Sequence, residues 1–65
     1  MWIKTKEHRP SDEEHIFYYF EPFGSYHKGK YDAEYDSVYS ASGFTSMIPE
    51  VPYWMPIPPL PEESQ

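Results

Sequence analysis

EHIFYYFEP, residues 14–22, is the clearest strand in the chain. It is rich in aromatic and β-branched residues, which favour extended structure, and Pro22 ends it. Alternation divides the side chains between two faces that are both apolar, with Ile16, Tyr18 and Phe20 on one and Phe17 and Tyr19 on the other. We therefore predict a central strand that is covered on both sides.

Two further strands are predicted to follow as a hairpin. A turn at Gly24-Ser25 leads into a run that reaches Gly43 without an obvious breaker, and that run exceeds the usual strand length of ~3–10 residues. Asp favours turns and is depleted in strands, so we place the reversal within residues 32–36. The resulting prediction is one strand at residues 25–31, a return strand at residues 37–42, and a loop at residues 44–49.

VPYWMPIPPLPEE, residues 51–63, contains most of the prolines. Proline lacks the N–H that a sheet ladder needs, so we predict that only residues 53–55 can pair, and only at a sheet edge. A disordered ligand for a proline-binding groove is the alternative, but such a ligand would not need Trp54 and Met55 in its middle. We therefore predict a strap in which Trp54 packs on the sheet, with Trp2 also in the core.

The predicted fold is one small domain over residues 1–61, followed by a free tail at residues 62–65. It is mainly β (or small α+β), with a three-stranded antiparallel sheet, to which either terminus can add a short edge strand, and with the proline-rich strap packed on it. Residues 10–14, PSDEE, predict a turn or a single helical turn capped by Ser11 or Asp12. Since the chain has 65 residues and no cysteine, its two Trp, seven Tyr and four Phe must supply most of the core.

The charge balance limits the partners that the sequence predicts. Eleven acidic and five basic residues give a formal net charge of −6, and the bases are scattered. Affinity for nucleic acid depends on Lys and Arg at the phosphates, so we predict no direct binding to nucleic acid. No apolar run approaches the ~20 residues of a membrane span, and the N-terminus lacks the apolar centre of a secretory signal. We expect no membrane partner and a cytoplasmic location.

The sequence shows no catalytic or metal-binding motif. Alternating acids in residues 32–36 begin like a calcium loop, but Ser37 and Gly43 stand where such a loop needs Gly and Glu. The three histidines are scattered rather than paired. Ser25 and His27 share a predicted strand face, with no third residue implied to orient them. We predict a protein that is not an enzyme, with no catalytic residues, no cofactor and no metal.

The tyrosines are more numerous than so small a core can bury. Any single ring could simply cap the sheet with its hydroxyl in water, but exposed Tyr and Trp as a group are typical of protein interfaces. Acids and a ring lie together at the predicted hairpin tip, which suits a basic protein surface. We predict a partner-binding surface made of these acids and nearby rings: Asp32, Glu34, Tyr35, Asp36, Tyr26 and Tyr31.

The order of several motifs resembles one small family. An apolar strand ending in "YF" is followed by "YHKGKYD…VYSASGFTS", "PEV" and "YWMPIPPLPE". These motifs are similar to a family common in phages and prophages and catalogued as domain of unknown function 551. The resemblance covers the chain from Trp2 to about Pro61, and its specific parts are residues 42–45 and 54–58. Family members usually have Thr-His-Trp where this chain has Pro-Tyr-Trp at residues 52–54, and Leu-Pro where it has Arg-Pro at residues 9–10. No role of that histidine therefore carries over.

The resemblance implies a small accessory protein of a phage or prophage that acts in the cytoplasm of the bacterial host. We expect it to bind a host or phage protein without catalysis, and to inhibit a host defence or nucleic-acid enzyme. The alternative is a minor structural or assembly component of a phage particle.

Overall fold

The computed structural model describes residues 1–58 and contains one antiparallel sheet of six strands. The strands are, in chain order, β1 (Ile3–Lys4), β2 (His15–Phe20), β3 (Ser25–Asp32), β4 (Ser37–Ser40), β5 (Thr45–Met47) and β6 (Tyr53–Pro56), with a short 3-10 helix at Ile48–Glu50. Their order across the sheet is β1-β6-β2-β3-β4-β5. The prediction of a mainly β, antiparallel fold is confirmed, but the prediction of three strands is wrong because β1, β5 and β6 also join the sheet.

Strand β2 lies inside the sheet and supplies the centre of the core. It pairs with β3 along its whole length and with β6 along four residues. Its predicted inner face is confirmed, since Ile16 and Tyr18 are fully buried and Phe20 is nearly so. These side chains pack with residues contributed by four other elements and the loop before β6: Tyr31, Val38, Ile48, Val51 and Trp54.

The opposite face of β2 is not covered by a second layer in the described part of the chain. Phe17 is 37% exposed and Tyr19 is half-buried. The prediction of a strand covered on both sides is therefore wrong. The aromatic side chains of this outer face are exposed because the sheet buries a core on one side alone.

The predicted hairpin is confirmed, since β3 ends at Asp32 and β4 begins at Ser37. After β4 the chain turns through residues 41–43, where the Gly43 N–H donates to the Ser40 carbonyl at 2.9 Å. Gly43 has φ +98°, which L side chains rarely adopt, so a tight reversal is possible here. The chain then returns as β5 against β4, so the predicted loop over residues 44–49 is instead a strand and a 3-10 helix.

The C-terminal region forms a strand within the sheet rather than a strap packed on it. Strand β6 pairs with β1 on one side and β2 on the other, so the prediction of an edge strand is wrong. The prolines permit this arrangement because Pro52 precedes the strand and Pro56 is its last residue. The predicted free tail at residues 62–65 lies outside the described residues.

The two tryptophans have different environments. Trp54 is 3% exposed, and its indole Nε1–H donates to the His8 carbonyl at 2.8 Å. It lies between Ile3 of β1 and Tyr18 of β2 in the sheet register. The prediction that Trp54 is in the core is confirmed. Trp2 is 43% exposed, so its predicted place in the core is wrong.

Two hydroxyl groups inside the core are paired with each other. The buried Tyr18 hydroxyl lies 3.2 Å from Ser46 Oγ, and both residues are fully buried. Ser46 is on β5, three strands away from β2 in the sheet order. This contact satisfies the tyrosine hydroxyl and links the centre of the core to the edge of the sheet.

Replacement of Trp54 by Ala should destabilise the fold far more than replacement of Trp2 by Ala. Truncation of a buried ring of this size costs about 3–5 kcal/mol, which approaches the whole stability of a small domain at the low end of ~5–15 kcal/mol. Chemical denaturation followed by circular dichroism would measure both variants. Equal losses for the two variants would contradict the assignment of Trp54 to the core.

Gly29→Ala should destabilise the pairing of β3 with β4. A Cβ at Gly29 would lie 2.6 Å from the Tyr39 carbonyl oxygen and 2.9 Å from Val38 Cγ1. Because one of these neighbours is backbone, the two strands would have to move apart. We expect a loss of about 1–3 kcal/mol, as for other overpacked sites. Ala41→Gly, at an exposed turn position, is the control in the same denaturation assay, and an unchanged midpoint for Gly29→Ala would refute the close approach.

Candidate functional site

The hairpin tip between β3 and β4 is held by carboxylates that bind backbone N–H groups. Asp32 Oδ1 accepts from the Glu34 N–H at 3.0 Å, and Asp12 Oδ1 accepts from the Ala33 N–H at 3.0 Å. Asp36 adopts φ +50°, a left-handed conformation that Asp tolerates better than most residues. The tip therefore has a defined shape and includes an acid from the distant residue 12.

Arg9, Tyr31 and Asp36 form a polar network beneath the tip. Arg9 donates from Nε to Asp36 Oδ1 at 3.0 Å and from Nη2 to Asp36 Oδ2 at 3.3 Å, and its Nη1 donates to the Thr5 carbonyl at 2.6 Å. The Tyr31 hydroxyl donates to Asp36 Oδ1 at 2.5 Å. The network connects the segment after β1 to β3 and to the hairpin.

The network shifts the ionisation of its members in the directions that its geometry requires. Hydrogen bonds from Arg9 and then from Tyr31 hold the pKa of Asp36 below its ordinary value. Burial, followed by the hydrogen bond to Asp36, raises the pKa of Tyr31 to about 12. The Asp36 carboxylate is thus charged but paired, and the Tyr31 phenol stays protonated.

Two of the predicted binding residues are therefore committed to the fold. Tyr31 is 4% exposed, so the prediction that it presents its ring to a partner is wrong. Asp36 makes the one ion pair found within residues 1–58, with Arg9, so its charge is partly compensated although its side chain is 47% exposed. Tyr31 was misassigned because its ring belongs to the core cluster, and the pairing of Asp36 was missed because Arg9 is distant in the chain.

The other tip residues border a concave surface on the outer face of the sheet, with a volume of about 670 Å³. We call it the acidic hollow. Its carboxylates come from two separate segments, and exposed apolar side chains lie among them: Asp12, Glu13, Asp32 and Glu34 with Tyr35, Tyr39 and Met47. One base, Lys30, also lines it, so acids outnumber bases four to one. Tyr35 is 66% exposed and Tyr39 is 58% exposed. The structure thus brings the predicted Asp32, Glu34 and Tyr35 together with residues that the prediction missed.

The segment that carries Asp12 and Glu13 is fixed against the end of β3. The Glu13 N–H donates to the Tyr31 carbonyl at 2.7 Å, and the Tyr31 N–H donates to the Glu14 carbonyl at 2.9 Å. Within the segment, the Ser11 N–H donates to Glu14 Oε1 at 2.8 Å, so the predicted turn is present. The acidic run SDEE was the signal for these residues, but no pattern in the sequence indicated which strand end it contacts.

Tyr26 lies in a different place from the acidic hollow. It is 69% exposed and contacts Tyr19 and Trp2, with ring centroids 5.3 Å and 5.7 Å away. Six residues of β3 separate it from Asp32, or roughly 20 Å at the usual strand rise. The predicted binding residues therefore fall into two groups at opposite ends of the outer face.

The Ser25 and His27 side chains form a hydrogen bond, with Oγ and Nε2 2.7 Å apart. The His27 ring packs against Phe20 and Phe44, at centroid distances of 6.0 Å and 5.2 Å. Within residues 1–58, no three His, Asp or Glu side chains are grouped so that they could hold a metal ion.

The chain matches no protein-family model, no curated protein and no solved structure. No helix in the described part of the chain is both long and apolar enough to span a membrane.

Burial of the Tyr31 phenol, together with its hydrogen bond to Asp36, should make stability fall at high pH. The folded-state pKa of Tyr31, about 12, lies above the ordinary value of 10, so its contribution is fully present below pH 10 and is lost as pH rises through 12. Tyr31→Phe should remove this part of the pH dependence and lower stability at neutral pH. Ultraviolet titration of tyrosinate together with denaturation across this range would measure it. Tyr35→Phe, at an exposed ring, is the matched control.

Asp36 should give the opposite dependence at low pH. Its folded-state pKa lies below the ordinary value of 3.8, so its contribution is fully present above that pH and is lost as pH falls through the lower folded-state value. Asp36→Asn should flatten the acid limb of the stability curve, whereas Glu34→Gln should leave this limb unchanged. An acid limb that is the same in Asp36→Asn and the parent would contradict the network.

Proposed function

We propose that this protein is a non-catalytic binding protein of a phage or prophage, and that its acidic hollow binds a basic surface of a host protein. The observation that supports the proposal most directly is the grouping of four carboxylates, from two segments, around exposed rings. The motif resemblance described above supports the phage context and a place of action in the bacterial cytoplasm. Inhibition of a host defence or nucleic-acid enzyme is the outcome that we propose for this binding.

The charges of the hollow suit a cationic partner. None of its four carboxylates forms an ion pair within residues 1–58, and they outnumber the one base of the lining, Lys30, so the hollow is acidic overall. A cluster of one sign increases the association rate of an oppositely charged partner. A host protein that normally holds nucleic acid presents such a basic surface.

The apolar side chains of the hollow suit a long-lived complex. Tyr35, Tyr39 and Met47 are all about half exposed or more and share one concave surface. Tyrosine and methionine are enriched in protein interfaces, where buried rings account for the largest losses on truncation.

The first test is affinity capture from the bacterial host with cross-linking and mass spectrometry, followed by kinetics with the captured protein. Glu13→Gln combined with Glu34→Gln should slow association roughly tenfold and flatten its salt dependence. Glu7→Gln combined with Glu21→Gln removes the same charge from exposed positions outside the lining and should have a much smaller effect. Equal slowing by the two double variants would mean that net charge, not the hollow, attracts the partner.

A ring variant tests whether the apolar side chains of the hollow set the lifetime of the complex, separately from the effect of the carboxylates on association. Tyr35→Ala should leave association nearly unchanged and speed dissociation about fivefold or more, as expected for an interface anchor. Tyr26→Ala, at the other end of the outer face, is the matched control. Recovery of the protein in purified phage particles at fixed stoichiometry, with no host partner, would contradict the proposal and favour a structural component.

A further inference from the structure

An aromatic cleft lies on the outer face at the end opposite to the acidic hollow. It has a volume of about 320 Å³ and is lined by the rings of Trp2, Tyr19, Tyr26 and Tyr53. Three of these side chains form a row across neighbouring strands, since Tyr19 lies opposite Tyr53 of β6 and Tyr26 of β3. The sheet therefore presents a row of rings, with the Trp2 indole beside it.

The rings of the cleft remain accessible although they are large and apolar. Tyr26 is 69% exposed, Trp2 is 43% exposed and Tyr53 is 42% exposed. The core lies on the other face of the sheet, so burial in the fold does not explain this group of rings. Contiguous exposed aromatic surface of this kind is typical of a binding site.

A second hollow adjoins the cleft, because Tyr53 lines both. We call it the lysine hollow. Its volume is about 450 Å³, and its charged lining consists of Lys4, Lys6, Arg9 and Asp36. The Arg9 and Asp36 charges are paired with each other, which leaves the two lysines as the open charges. Within a protein of net charge −6, this corner is locally positive.

A buried hydroxyl in the lysine hollow lacks a partner. Thr5 is 2% exposed and lines this hollow, and its Oγ1 forms no hydrogen bond within the described part of the chain. A buried polar atom without a partner is uncommon in a folded protein and calls for a physical explanation. This oxygen is itself inaccessible to solvent, so it lies behind the surface of the lysine hollow rather than on it.

We propose that the aromatic cleft and the lysine hollow together bind single-stranded nucleic acid. Unpaired bases stack on the rings of the cleft, and the adjoining phosphates contact Lys4 and Lys6. Proteins that bind single strands combine stacking rings with a positive groove in this way. The local charge of the lysine hollow is positive, whereas the net charge of −6, from which no binding to nucleic acid was predicted, averages over the whole chain.

The arrangement favours a nucleic acid strand over an acidic peptide. An acidic peptide would use the lysines but has no flat groups to occupy a cleft lined entirely by rings. Duplex nucleic acid is also disfavoured, because its bases are already stacked and paired. The cleft lies on the outer face and the lysine hollow adjoins it at the β1 edge of the sheet, so this proposal stands independently of the acidic hollow.

The test uses fluorescence anisotropy of a labelled oligothymidylate of about 12 nucleotides, a length within the usual footprint of single-strand-binding folds. The full chain should bind it, and Tyr26→Ala should weaken binding at least about fivefold, whereas Tyr26→Phe should not. Tyr35→Ala is the matched ring control. Lys6→Gln should weaken binding and reduce the slope of log K against log salt by about 0.7, whereas Lys30→Gln should change it less.

Two further probes decide between nucleic acid and other anions. A poly-glutamate peptide and a duplex of equal length should each bind at least about fivefold more weakly than the single strand, because neither offers unpaired bases to stack on the rings. Equal binding of poly-glutamate would overturn the proposal in favour of an acidic peptide, and equal binding of the duplex would overturn the role of stacking. Absence of binding at low salt would refute the proposal directly. The thermal melting curve of each variant confirms that it is folded.

Discussion

The pairing of β6 with both β1 and β2 is the constraint on which the rest of the sheet depends. Trp54 lies at the centre of this arrangement, opposite Ile3 on one side and Tyr18 on the other, and its indole binds the His8 carbonyl. Without β6, the two residues of β1 would have no strand to pair with. The turn after β1 would also lose the Thr5 N–H bond to the Pro52 carbonyl. Arg9, which reaches Asp36 from this segment, is therefore placed indirectly by the C-terminal strand.

The centre of the sheet could be predicted from the sequence because its signals are local. Alternation in residues 15–20 and turn residues between positions 32 and 37 depend on neighbours in the chain, so β2 and the hairpin of β3 and β4 were predicted nearly correctly. Strands β1 and β5 have two and three residues, too few to show a period. The role of β6 was misjudged because the prolines were counted without their positions. They lie before the strand and at its last residue, where a missing N–H is tolerated.

The candidate sites could be predicted in part, again because only groups of residues that are neighbours in the sequence form a recognisable pattern. The tip residues Asp32, Glu34 and Tyr35 are neighbours in sequence and remain neighbours in the fold. Asp12 and Glu13 join them through the bonds between Glu13, Glu14 and Tyr31, which no periodicity encodes. The row of Tyr53, Tyr19 and Tyr26 requires the register of three strands. Tyr31 was misassigned because a tyrosine in a strand has the same sequence signal whether its ring points inward or outward.

The order of the strands has a consequence for how the chain reaches its folded state. Strand β1 contacts only β6 within the described sheet, so the first strand made pairs with the last. Contacts between distant parts of a chain require the closure of a long loop before they contribute stability, and such topologies fold slowly. The hairpins of β2, β3, β4 and β5 can form from local contacts as they are synthesised. The N-terminal segment, with Arg9 and Trp2, can take its place only after β6 has been synthesised.

Until then one edge of β2 is unpaired, and an unpaired edge is the part of a sheet most able to pair with another chain. For a small protein made in quantity, the time between synthesis of β2 and arrival of β6 would set its tendency to aggregate.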